Sequence, residues 1–109
     1  MSYKAKYDED AKKYEYLLSK EQITEEFNRV VKDYQLYRSI SETKKDILKL
    51  TKLQYHKQQI NLQYGRSNLI EFYQANIKFN EAQFAQLAAE INLLTAYYKL
   101  QILIGQIEI

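Results

Sequence analysis

The chain has no cysteine, no proline, no tryptophan and only two glycines in 109 residues. Without cysteine, neither a disulfide nor a thiolate metal site can form, and the redox compartment is left open. Without proline, nothing breaks a helix from within. Gly105 lies four residues from the last residue, which leaves Gly65 as the one strong helix stop in the body of the chain. A dominant charge is lacking as well: a formal net charge of +2 is too small to argue for nucleic acid or an anionic membrane surface. No apolar run approaches the roughly 20 residues that span a bilayer as a helix, so direct membrane insertion by this segment is not expected. The opening Met1-Ser2-Tyr3-Lys4-Ala5-Lys6 leads into Asp8-Glu9-Asp10 rather than an apolar stretch, so no signal peptide is expected. What remains, 46% hydrophobic and 28% charged in 13.1 kDa, is the composition of an ordered chain of at most one domain.

Gly65 organises that domain. A glycine just past a helix can take the left-handed conformation that closes the last carbonyls. Asn68 is then a strong N-cap, and Glu71 three positions later completes a capping box. Tyr64-Gly65-Arg66-Ser67-Asn68 therefore reads as the tip between two long helices, one over about 11–63 and one over about 69–105. The fold class is all-α, a long antiparallel coiled-coil hairpin. Tyr7, Ala11, Tyr14 and Leu18 keep a helical spacing upstream, while Ser19 with Gln22 offers a competing cap and a possible break there.

The second helix is unusual in its charge. Residues 1–65 carry 13 Lys/Arg and 10 Asp/Glu, but residues 66–109 carry only 3 and 4. A solvated helix is normally richer than that, so this one expects to be covered. Its heptads say how. Ile70, Ile77, Phe84, Ile91 and Tyr98 form one row, supported by Tyr73, Leu87 and Leu94 and weakened by Asn80 and Gln101. Phe72, Phe79, Leu93, Leu100 and Ile107 form a second row. Ala75, Ala82, Ala89 and Ala96, continued by Leu103, allow close approach of a neighbouring helix. At about 103° per residue the two seams are roughly 150° apart, the geometry of a helix flanked on both sides. A closed ring built this way holds on the order of a dozen helices. In the first helix Phe27, Tyr34, Leu48, Tyr55 and Leu62 make one row, interrupted by Ser41. Ile23, Val30 and Tyr37 make its companion, which fades into Lys44 and Thr51, and Ile40, Ile47, Leu50, Leu53 and Ile60 fall elsewhere. A lone hairpin cannot bury so many faces, which points to self-association or to a longer chain.

Little in the chain suggests catalysis, and neither a cofactor nor a metal is expected. His56 is the only histidine and has no second ligand near it; Glu81 and Glu90, nine residues apart, do not make an acid/base pair on one face. The lysines around Tyr55 (Lys44, Lys45, Lys49, Lys52 and Lys57, with Arg38) are interleaved by Glu42 and Asp46, as on a solvated helix face, so nucleic acid is not an expected partner. The eleven tyrosines suit half-buried seams, ring inside and hydroxyl at the edge.

From Leu62 to Gly105 the sequence resembles, without a gap, the last helical hairpin of outer-membrane efflux proteins, the TolC family. Gly65 takes the tip glycine, Asn68 the polar cap, Glu71 the acidic position and Ala75-Asn76 the alanine-glutamine pair. Ala82-Gln83, Ala89, Leu94, Ala96 and Leu100 continue in register. The chain departs from the pattern at Leu62, where the family often has an aromatic residue, and at Asn68, where serine or threonine is usual. The resemblance implies a hairpin of a periplasmic tunnel wall in a trimeric channel, on the periplasmic side of the outer membrane. Its tip, residues Tyr64 to Asn68 with Gly65, Arg66 and Ser67 foremost, would dock a periplasmic adaptor that joins an inner-membrane pump. Glu71 and Gln74 would line the tunnel entrance, with Glu71 repeating as a carboxylate ring. The barrel strands and the first structural repeat of that family have no counterpart in this sequence. The competing expectation is a soluble coiled-coil adaptor or scaffold, cytoplasmic if free-standing, that dimerises into a four-helix bundle.

Overall fold

The structure, a computed structural model, describes residues 3–107. It is a hairpin of two antiparallel helices, α1 (Tyr3–Gln63) and α2 (Leu69–Ile107), with no strand among the described residues. The molecule measures 94 × 21 × 13 Å. Two boundaries differ from the sequence reading. α1 begins at Tyr3 and runs through Ser19 without a break, because with no proline or glycine before Gly65 a local cap cannot compete with continuing the helix. α2 runs past Gly105, which has no positive φ and is an ordinary helical residue.

The tip follows from its hydrogen bonds. Gly65 is the one described residue with positive φ, +72°. The Arg66 N–H donates to the Asn61 carbonyl at 2.7 Å and the Gly65 N–H to the Leu62 carbonyl at 3.1 Å, the paired 6→1 and 5→2 bonds of a Schellman ending. Two residues later Asn68 Oδ1 accepts the Glu71 N–H at 2.9 Å and caps α2. The reciprocal half of the capping box is replaced. The Glu71 carboxylate accepts from the Ser67 hydroxyl at 2.8 Å rather than turning back to the Asn68 N–H.

One seam holds the hairpin together. On α1 its half-buried and buried positions alternate by four and three: Ile23, Phe27, Val30, Tyr34, Tyr37, Ser41, Lys44, Leu48, Thr51, Tyr55, Gln58 and Leu62. The two heptad rows of the first helix thus share one face, and the polar interruptions lie inside it. On α2 the facing rows are Phe72, Phe79, Gln86, Leu93 and Leu100 with Ala75, Ala82, Ala89, Ala96 and Leu103. Ile107, counted with the first of these by its spacing, is exposed beyond the seam's end. Tyr55 bridges Phe72 and Phe79 with ring centroids at 5.5 and 5.3 Å, and Tyr34 meets Tyr97 at 6.4 Å. The alanines at 82, 89 and 96 are buried, so the small-residue row brings α2 close to α1 of the same chain; Ala75 is half-buried.

The core this seam makes is thin. Its buried members are Val30, Ala82, Ala89, Ala96, Leu103 and Ser41. The accessible surface is 9126 Å², whereas a globular monomer of 13.1 kDa exposes roughly 6,400 Å² by the usual size scaling. The first turns of α1, residues 3–22, are exposed throughout and extend past the end of α2.

Candidate assembly surface and hairpin tip

The excess surface is concentrated on particular faces. All eight residues of the first α2 row and its supports are uncovered: Ile70, Tyr73, Ile77, Phe84, Leu87, Ile91, Leu94 and Tyr98, each more than half exposed and Phe84 74% exposed. This row and the covered seam lie on opposite flanks of the helix, which is why both could be read from heptads about 150° apart. The eight side chains offer on the order of 1,000 Å², where a typical monomer's largest apolar patch is about 300–600 Å². α1 carries a second, shorter uncovered face formed by Leu36, Ile47, Leu50, Leu53 and Ile60, with Ile40 half-buried at its edge.

At the tip, the sequence-expected residues divide into those that build the turn and those that face out. Gly65 and Asn68 build it through the left-handed φ and the cap. Tyr64 is exposed, and the Arg66 guanidinium lies 5.4 Å over its ring, a cation–π contact that gives the tip a flat aromatic and cationic surface. Ser67 is the hub. Its Oγ is 2.7 Å from Gln58 Oε1 and 2.8 Å from Glu71 Oε2, tying α1, the turn and α2 together. A hydroxyl has one proton, and the carboxylate takes it; the Gln58 amide turned by 180° would then present its nitrogen to Ser67. Gln58 is a tip residue that sequence reasoning missed. It continues the companion row that already fades into Lys44 and Thr51, so one more polar residue there gave no signal of its own.

Glu71 and Gln74 lie together in one polar groove, lined also by Gln54, Lys57, Gln58 and Lys78. The lysines alter what the carboxylate can do. A ring of Glu71 at this level would be accompanied by Lys57 and Lys78, so its field is not that of an acidic ring alone. Elsewhere the charges are simple. Lys13–Glu9, Arg29–Glu26 and Arg38–Glu42 are exposed pairs at 3.9–4.0 Å along α1, each contributing a few tenths of a kcal/mol at most. His56 stacks edge-on against Tyr55 at 5.5 Å. Among the described residues no group of three or more His, Cys, Asp or Glu is placed to hold a metal, and no helix is long and apolar enough to cross a membrane.

Compared with protein-family models, with characterised proteins and with solved structures, the chain finds no match in any of the three.

Proposed function

We propose that this hairpin is a wall element of a TolC-like outer-membrane efflux channel, on the periplasmic side, whose tip docks a periplasmic adaptor. The observation that carries the reading is α2 itself. One of its seams is covered by α1, and the other, on the opposite flank, is an apolar row from Ile70 to Tyr98 whose members are each more than half exposed. A helix apolar on two opposed flanks is flanked by neighbours on both, as in a curved sheet of helices. The thin core adds to this, because a hairpin that exposes roughly 2,700 Å² more than a compact monomer gains most of its stability on assembly.

In this reading Tyr64, Arg66 and Ser67 present the docking surface, while Gly65 allows close backbone approach by the adaptor's own hairpin. Glu71 and Gln74 line the entrance. The accompanying Lys57 and Lys78 remove the expectation of a purely cation-favouring ring. Assembly would be trimeric in a complete channel, with an inner-membrane pump beyond the adaptor. The chain's part is structural, with no reaction assigned to it.

The test is an immunoblot of fractionated source cells with an antibody against residues 66–109. A band several times heavier than 13.1 kDa in the outer-membrane fraction supports the channel. A soluble band near 13 kDa refutes it and leaves the dimeric coiled-coil scaffold, built on the same exposed row.

A further inference from the structure

The exposed row of α2 needs an occupant, and the hairpin carries a surface that fits it. We infer that the outer face of α1 in a second copy of this chain covers the α2 row of the first, with the two hairpins side by side and their tips level. The inference takes from the wall reading only the shared direction of the tips, and goes beyond it by naming the neighbour.

Two observations converge on this partner. The first is height along the hairpin. Within one chain Tyr34 stands level with Tyr97, and Tyr55 lies between Phe72 and Phe79. At the same stagger Leu36 is level with Leu94, Ile40 with Ile91, Ile47 with Phe84, Leu53 with Ile77 and Ile60 with Ile70. Two level hairpins placed side by side bring α2 of one antiparallel to α1 of the next at that same stagger. Five apolar positions of each helix then meet in pairs, while Leu50 stands at the height of Glu81. Little in the folding of a single hairpin requires this match, because apart from Ile40 and Ile47 at the edge of the shared seam these residues are more than half exposed. The second observation is area. The α2 row offers on the order of 1,000 Å², against about 800 Å² per partner in a standard stable interface. Charge does not add to these: Lys49 stands level with Glu81, but Glu42 stands level with Glu90, and Asp46 lies on the same stretch of α1.

This contact is heterologous, α2 against α1, so it repeats around a ring and leaves no copy without neighbours once closed. Pairing of the α2 row with itself would instead be isologous and would stop at two copies.

The absence of cysteine makes the distinction clean to measure. Ile47→Cys and Phe84→Cys are prepared as separate single variants of the full 109-residue chain, one carrying a mass tag, then mixed and joined with a short thiol cross-linker. Both positions are exposed, so each variant should keep the helical content of the parent chain. The expected result is a dominant tagged–untagged product, at least several-fold over either homodimer. A control mixture of Ile47→Cys with Tyr98→Cys, which are not level, should give none. A dominant Phe84–Phe84 position homodimer overturns the inference and the wall reading together, in favour of the two-copy bundle. No cross-link, with the chain monomeric by sedimentation, overturns the inference alone, since the wall's neighbour would then be a different segment.

Discussion

The two glycines make opposite predictions, and both can be worked from backbone geometry alone. Gly65 sits at φ +72°, and a Cβ added there would meet nothing within 4 Å. Gly65→Ala therefore creates no clash, and its whole cost is that of holding an L-residue in the left-handed region, about 1–2 kcal/mol. The alanine also restricts the unfolded chain, which returns about 0.4–1 kcal/mol. The net loss should be about 1 kcal/mol, and Gly65→Asn should lose less because asparagine tolerates this region. Gly105 also has open space around its missing Cβ, but it lies within α2 without a positive φ. Gly105→Ala should therefore stabilise, by up to about 1 kcal/mol and less so near a fraying end. Urea unfolding followed by circular dichroism at 222 nm, at one fixed protein concentration because association is linked to folding, reads both signs. If Gly65→Ala were neutral, the chain would not turn through a left-handed residue there. If Gly105→Ala were destabilising, that glycine would be a helix end and α2 would stop short of Ile107.

Other perturbations address the seam and the tip. Ser41 is 2% exposed and its hydroxyl has no hydrogen-bond partner, so Ser41→Ala should stabilise by about 1 kcal/mol in the same urea titration; a loss of similar size would mean the hydroxyl is bonded. Tyr55→Ala removes the ring between Phe72 and Phe79 and should cost about 2–4 kcal/mol, whereas Tyr55→Phe should cost under about 1, read as shifts in unfolding midpoint. Ala82→Leu with Ala89→Leu adds bulk where α1 and α2 approach, and should cost about 1–3 kcal/mol per site in hairpin stability, measured on the monomer at low concentration. Deleting residues 3–19, which are exposed throughout, should lower the total helical signal and leave the unfolding midpoint unmoved.

The tip and the period were legible because each rests on residues that act locally. A glycine with a Schellman ending, an asparagine cap and strict sevens are properties of a few neighbouring positions, and they were readable before any contact was known. The assignment of faces was not, since a heptad row says that a flank is apolar but not what covers it. Both α2 rows looked alike in sequence. Only the fold separates the one paired with α1, where Ala82, Ala89 and Ala96 vanish from solvent, from the one led by Phe84, which stays open. The continuity of α1 through Ser19 is not legible locally, because Ser19 with Gln22 fits a cap pattern whether or not the helix stops there. Gln58 escaped notice because its role depends on Ser67 across the turn, a partner nine residues away that no periodicity links to it. The same reasoning explains why function was harder to read than fold. The features that specify this hairpin are satisfied within one chain, while those that specify its use, the exposed row on α2 and the aromatic-cationic tip, are halves of contacts whose other halves lie on neighbouring molecules. Matching heights across two copies is how one such half can be assigned from a single chain, because a self-assembling surface must encode both of its sides.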